Sequence, residues 1–249
     1  MIYFASDFHL GMPEGKTSRD REKKICNWLD EVSKDATQIF LLGDVFDFWF
    51  EYKTVVPKGC VRFLGKLAEL TDKGIDIQVC VGNHDLWMRN YLVEECGIQI
   101  FREPKIIQSG DKKIYIHHGD GLGPGDKKYK FLKKMFLSPI NQWLFSRIHP
   151  NLGVRIARYW SKSSRKSTPR WEKEYRGDEE EYLTLHCNEV LQLQHIDYFV
   201  FGHRHLELDI TLANGVSKYI NLGQWFTGSR YIKLNDGVLE VREYSQSQG

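Results

Sequence analysis

The sequence predicts an α/β protein. Two observations carry that reading: short apolar runs alternate with helical patterns along most of the chain, and five of those runs end in a turn bearing side chains competent to bind a metal. The 249 residues suit one large domain, or one domain with a substantial insertion.

The elements follow in order. Ile2 to Ser6 is a short apolar run entering Asp7-Phe-His9, as expected of a buried strand. Arg19 to Ser33 places Ile25, Trp28, Leu29 and Val32 on one helical face. Gln38 to Leu42 reads as a second strand, broken by Gly43-Asp44. A helix from Val61 to Lys73 stops at Gly74, and Ile75 to Val81 forms a third strand ending in Gly82-Asn-His-Asp85. Lys112 to His117 leads into His118-Gly-Asp120. Asp178 to His195 reads as a helix, and Tyr198 to Phe201 as a strand ending at Gly202-His-Arg-His205. The tail is strand-rich: Glu207 to Leu212, Ser217 to Asn221, Arg230 to Leu234 and Val238 to Arg242. No internal repeat or low-complexity tract interrupts the series.

Composition narrows the class. With 41% hydrophobic and 13% aromatic residues, the chain is too apolar for disorder. No stretch approaches the roughly 18 uninterrupted apolar residues of a membrane span. Met1-Ile-Tyr-Phe-Ala enters a strand without a basic leader, so no secretory signal is expected and a cytoplasmic protein is. The five cysteines are widely spaced and never form a CxxC pair, which argues against a disulfide framework and a thiolate zinc site.

The net charge of +2 conceals an asymmetry. Between Gly123 and Arg176 stand 14 Lys or Arg and three acidic residues, whereas the rest of the chain carries nine more acidic than basic residues. The basic positions interleave with Tyr129, Phe131, Phe136, Trp143, Phe145, Tyr159 and Trp160. Such a segment suits an anionic partner: phosphate, nucleic acid or acidic lipid. Met135, Phe136, Leu137, Leu144 and Phe145 are too greasy for a base-stacking groove and natural for acyl chains, so no nucleic acid is expected. The expected organisation is a core of residues 1–122 and 177–249 with a basic, apolar helical lid over 123–176. Gly123, Pro124 and Gly125 read as its hinge.

The strand ends carry the chemistry. They present Asp7 and His9, Asp44, Asn83 and His84, His118, then His203 and His205. In α/β sheets, sites form outside the carboxyl ends of strands, so five such ends can converge. Gly43, Gly82 and Gly202 are expected to let the chain turn sharply there. Carboxylate, amide oxygen and imidazole together suit Mn²⁺, Fe²⁺, Zn²⁺ or Co²⁺. Seven ligands exceed one four-coordinate ion and suit two ions sharing a carboxylate.

This series, Asp7-x-His9, Gly43-Asp44, Gly82-Asn83-His84-Asp85, His118-Gly-Asp and Gly202-His203-x-His205, resembles the calcineurin-like metallophosphoesterase superfamily. The resemblance implies an αββα four-layer sandwich, two mixed β-sheets flanked by helices, with two divalent ions at the strand ends. Carried over by position, Asp7, His9, Asp44 and His205 would hold the first ion. Asp44 would bridge, and Asn83, His118 and His203 would complete the second. The ions would clamp a phosphoryl oxygen and lower the pKa of a bridging water. His84 would act as general acid or transition-state donor, oriented by Asp85.

Outside those motifs, Gly43-Asp-Val-Phe-Asp-Phe-Trp49, His118-Gly-Asp-Gly-Leu, Arg155 to Ser164 and Leu222-Gly-Gln-Trp-Phe-Thr227 are similar to the family of UDP-2,3-diacylglucosamine hydrolases. That resemblance implies release of UMP and an acylated sugar 1-phosphate from a lipid A precursor, with Mn²⁺ as the expected metal. It also implies a peripheral position on the inner face of the inner membrane. Trp49, Asp126, Tyr129 and Ser164 are the expected substrate contacts. The chain departs from well-known members at His84, where they carry Arg. The competing readings are another phosphodiesterase, a nuclease or a protein phosphatase, and from a different class a non-catalytic scaffold. His117, His149, His186 and His195 fall in no site motif and are read as structural.

Overall fold

The computed structural model describes residues 1–12, 18–125, 127–167, 174–175 and 177–245, with residues 164–167 described through their backbone. Two β-sheets face each other and helices cover their outer sides. The first sheet has strand order β11-β10-β1-β2-β3-β4, from β1 (Ile2–Ala5), β2 (Gln38–Leu42), β3 (Asp76–Cys80), β4 (Gln99–Phe101), β10 (Arg230–Asn235) and β11 (Val238–Glu243). The second runs β5-β6-β7-β9-β8, from β5 (Lys105–Ser109), β6 (Lys112–Ile116), β7 (Tyr198–Phe201), β8 (Glu207–Thr211) and β9 (Lys218–Leu222). β1, β2, β3 and β4 are mutually parallel, as are β6, β7 and β9; the remaining pairs are antiparallel. Both sheets are therefore mixed, and the layers form the expected αββα sandwich.

Burial explains which runs became strands. β1, β2, β3, β7 and β9 read as near-continuous apolar stretches because both faces are covered. Phe4, Phe40, Cys80, Ile114, Val200 and Ile220 fill the space between the sheets, where the Phe4 and Phe40 rings stack 5.3 Å apart. Burial of each such large side chain contributes about 1.5–3 kcal/mol. On the outer face of the first sheet lie α1 (Ser18–Val32) and α2 (Val61–Asp72), with Ile25, Trp28, Leu29, Phe63 and Leu67 in that core. The outer face of the second sheet packs on α7 (Tyr182–Leu191) through Leu183 and Cys187.

The structure adds α3 (Tyr91–Cys96), β4 and β5 to the predicted elements, and trims the helix expected over 178–195 to Tyr182–Leu191. Between β6 and α7 the chain forms three helices: α4 (Lys127–Leu137), α5 (Pro139–Ser146) and α6 (Pro150–Ser167). Neither α4 nor α5 contains a buried residue. They attach chiefly through aromatic contacts. Phe145 inserts between Phe50 and Trp87, at ring separations of 4.8 and 4.7 Å, while the Trp87 indole N–H donates to the Phe136 carbonyl at 2.7 Å. The Trp143 and Leu144 side chains face solvent, while Phe145 packs inward.

Candidate metal centre

The carboxyl ends of β1, β2 and β3 in one sheet meet those of β6 and β7 in the other. Each strand then turns, and the turns share a backbone signature. Among the described residues seven non-glycine positions have positive φ, and five of them are Asp7 (56°), His9 (44°), Asp44 (50°), His203 (67°) and His205 (54°). Asp and His tolerate this left-handed region better than most residues, yet such positions still cost on the order of 1–3 kcal/mol. Strain gathered on five convergent polar side chains is a mark of function rather than of folding. The glycines divide by role. Gly43 takes the expected positive φ of 84°, but Gly82 and Gly202 do not. A β-carbon at those two would collide with the Asp44 and Asp7 carboxylates, so they serve close approach rather than a sharp turn.

Three overlapping groups of ligand atoms result among the described residues: Asp7–His9–Asp44–His205 and Asp44–His118–His203, which share Asp44, and His9–Asp47–His84 beside them. In the first, the facing His9 and His205 Nε2 atoms are 3.0 Å apart, and Asp7 Oδ1 lies 3.1 Å from His205 Nε2. Asp44 Oδ2 lies 3.6 Å from His9 Nε2 and 3.4 Å from His118 Nε2, a central position between the groups. In the second, Asn83 Oδ1 sits 3.2 Å from His118 Nε2 and 2.7 Å from His203 Nδ1. Outer contacts aim these ligands. His118 Nδ1 donates to the Leu42 carbonyl at 2.8 Å, which leaves Nε2 for the site. The His84 amide donates to Asp44 Oδ1 at 2.8 Å, and the His203 amide donates to Asp7.

The electrostatics suit a cation. Burial opposes charge on Asp7 and Asp44, but hydrogen bonds from His205 and His9, and the charge of His118, hold both well below the usual carboxylate range. Burial equally opposes charge on His9 and His118. Asp47 and Asp7 nevertheless push His9 up to about 9, and Asp44 pushes His118 up to about 10. The cluster thus balances buried carboxylates with protons on imidazole, which divalent ions would displace. The buried His9 Nδ1 has no hydrogen-bond partner within bonding distance among the described residues, and the Asp47 carboxylate faces it at 3.7 Å. Burial, reinforced by the neighbouring His118 charge, lowers His203 to about 3 and leaves it a neutral ligand. The donor set fits two divalent ions that share Asp44.

His84 stands beside this cluster, its ring 4.8 Å from His9. Burial lowers its pKa against the pull of Asp44. Asp85 does not orient it. The Asp85 carboxylate accepts the Gly82 amide at 2.8 Å and the Phe46 amide at 3.2 Å, tying the β2 and β3 turns together. Burial, with Asp44 nearby, raises Asp85 to about 7. From the β2 turn, Asp47 engages His84: its carbonyl lies 3.1 Å from His84 Nδ1 and its carboxylate 3.6 Å away. Its place three residues after Asp44, in Gly43-Asp-x-x-Asp, was the signal that could have marked it.

Of the expected substrate contacts, Trp49 belongs to the core. Its buried indole stacks 4.3 Å from Phe46 and donates to Glu51 at 3.0 Å, because a large aromatic after the turn is drawn under the loop. Tyr129 lies at the site. Its hydroxyl donates to Asp120, which also pairs with Lys133 at 2.7 Å, and its ring is 6.3 Å from His203. Asp126 and the Ser164 side chain lie outside the described residues. The histidines read as structural sit elsewhere: His117 is buried and bonds the Arg102 carbonyl, His186 meets Tyr115, and His195 pairs with Asp197.

A dinuclear-type cluster at the strand ends of an αββα sandwich is the signature of a phosphoesterase. The calcineurin-like phosphoesterase family model matches residues 1–207, and the chain belongs to that family. It is 33% identical to the UDP-2,3-diacylglucosamine hydrolase of Porphyromonas gingivalis, over 97% of this chain and 96% of that one. It is 24% identical to the enzyme of the same name from Yersinia pseudotuberculosis, over 96% of each chain. Among solved structures, the phosphoesterase Yfce from E. coli aligns with a TM-score of 0.46 at 15% identity, over 96% of this chain and 90% of that one.

Proposed function

We propose that this protein hydrolyses the pyrophosphate of UDP-2,3-diacylglucosamine, giving UMP and 2,3-diacylglucosamine 1-phosphate for lipid A assembly. One observation carries the reading: relatives bearing that activity in their names align from end to end, across both the strand-end cluster and the helical segment. Asp7, His9, Asp44 and His205 hold one divalent ion, and Asp44, Asn83, His118 and His203 the other, with Mn²⁺ the preferred metal. When bound, such ions neutralise phosphoryl oxygens and acidify a water for attack at phosphorus.

The chain's own residues do the rest. His84 Nδ1 is committed to the Asp47 carbonyl, so Nε2 is the ring nitrogen that meets the phosphate. With Nδ1 already protonated, Nε2 donates there only from the imidazolium, the form that the negative charge of an approaching phosphate favours. Tyr129, held by Asp120 beside His203, lines the sugar-phosphate side. The helices Lys127–Ser167 form a lid whose exposed Phe131, Ile140 and Trp143 receive acyl chains while Lys and Arg meet phosphate. The same surface rests on anionic headgroups at the cytoplasmic face of the membrane, each nearby Lys or Arg contributing about 1 kcal/mol. Among the described residues no helix is long and apolar enough to cross a membrane.

The test is UMP release from UDP-2,3-diacylglucosamine by metal-stripped protein with and without added Mn²⁺. Mn²⁺-dependent UMP is expected. Turnover of simple phosphodiesters without UMP from the lipid substrate would retain the metal centre and discard the substrate.

A further inference from the structure

Helix α6 presents a row of small residues to the core. Gly153, Ala157 and Ser161 fall at four-residue spacing on one face, and Gly153 and Ser161 are buried. A β-carbon at Gly153 would lie 2.5 Å from the Tyr52 hydroxyl and 3.2 Å from the Phe145 ring, so the small face lets the helix seat closely. That seating delivers one hydroxyl to the strand-end site. Ser161 Oγ lies 3.1 Å from Asp47 Oδ1 and 3.3 Å from His84 Nδ1.

Among the described residues, the donors and acceptors at this junction resolve in one way. The Asp47 carbonyl can only accept, so His84 Nδ1 carries the proton and is shared between that carbonyl and Ser161 Oγ. The Asp47 carboxylate also accepts, so the Ser161 O–H donates to it. Serine is therefore relay and brace at once: its oxygen receives the ring N–H, and its hydrogen anchors that oxygen to Asp47. Three groups on two separate pieces of chain, the β2 turn and α6, fix the plane of the His84 ring. No other residue of the helices Lys127–Ser167 has a hydrogen bond to His84 among the described residues.

We propose that Ser161 is a positioning residue for His84, so that docking of α6 completes the proton-donating side of the site. This rests on the reading of His84 as the donor to the reacting phosphate. The consequence is a physical link between occupancy of the helical segment and competence of the metal centre: when α6 lifts away, the ions can stay while the His84 ring loses one of its braces.

The test compares wild type, Ser161→Ala and Ser161→Thr in the Mn²⁺-loaded full-length protein. Each is assayed with UDP-2,3-diacylglucosamine and with bis(p-nitrophenyl) phosphate, alone and in a His84→Ala background. Loss of one braced hydrogen bond predicts kcat lower by about tenfold in Ser161→Ala with KM within twofold. Ser161→Thr, which keeps the hydroxyl, recovers most of the rate. In the His84→Ala background the Ser161→Ala change has no further effect, because the group it positions is gone. Full activity in Ser161→Ala, or an equal loss with and without His84, overturns the proposal. A loss confined to KM for the lipid substrate also overturns it, by making Ser161 a substrate contact. Wild-type turnover of the diester without the lipid substrate removes the substrate assignment instead, and the same Ser161 comparison is then read on the diester.

Discussion

The strand-end turns and the helices Lys127–Ser167 are both rich in functional side chains, but they are held in opposite ways. Asp7, His9, Asp44 and His118 are almost wholly buried, the first three on left-handed backbone, and Asp44 and His118 held by hydrogen bonds with their neighbours. Phe131, Ile140, Trp143 and Tyr159 are 56–72% exposed, on helices that attach by a few aromatic anchors. The first region is preorganised by the fold and pays for its geometry in backbone strain. The second leaves its apolar surface to be covered by something else. On the proposed function, the exposed helical surface would act on the substrate apart from the metal cluster, and the two regions would be coupled where Ser161 of α6 meets His84.

The largest effect is expected at the shared carboxylate. Asp44→Ala should abolish binding of both ions and lower turnover by three orders of magnitude or more, about the several kcal/mol that charge stabilisation by bound metal supplies. Metal analysis and UMP release on one sample decide it; two ions per chain with turnover retained would refute the assignment.

Next comes a stability effect at the buried end of β6. His117 donates from Nε2 to the Arg102 carbonyl and accepts the Gly119 amide at Nδ1, so the folded protein holds it neutral, with burial lowering its pKa to about 4. A depressed histidine pKa means that the unfolded chain binds the proton more tightly. Its contribution is therefore fully present above about pH 6.5 and is lost as pH falls from there towards 4. The difference is on the order of 3 kcal/mol. Urea unfolding of metal-free wild type and His117→Gln should show a steeper loss in wild type over that window. Parallel curves would show that His117 is not held neutral.

At the exposed apolar positions of the helical segment the effects should fall on the lipid alone. Replacing Phe131 and Trp143 together by Ser should raise KM for the acylated substrate about tenfold while leaving diester turnover intact. Because both side chains are exposed, unfolding free energy should move by no more than about 0.5 kcal/mol. A matching loss on both substrates would erase the separation between the regions. The smallest change is Gly153→Ala. Crowding of Tyr52 outweighs the gain in helix propensity, for a net cost of about 1 kcal/mol in thermal or urea unfolding. A stabilised variant would mean that α6 sits less tightly than its small face indicates.

Legibility in the sequence follows the same division. The strands that feed the site are continuous apolar runs because both of their faces are covered, and β2 and β7 match their predicted ranges to the residue. Their ligands stand out because each follows its strand within a few residues. α3, β4 and β5 escaped notice: two are only six and three residues long, and the third alternates half-buried and exposed positions. Asp85 and Trp49 received the wrong roles because their partners, the Phe46 amide and Glu51, are fixed by how loops fold over one another. Ser161 carried no signal, since its importance depends on which face of α6 turns inward.

The distance along the chain between facing ligands has a consequence for how the molecule comes into being. His9 and His205 are 196 residues apart in sequence, and β1 between its neighbours pairs with β10, which is made later still. During synthesis the first ligands emerge long before their partners exist. An ion has no complete coordination shell until both sheets have closed, so metal can lock the finished sandwich but cannot nucleate it. Cells starved of metal should therefore accumulate folded, inactive chains, which gain activity when the ion is supplied without having to refold.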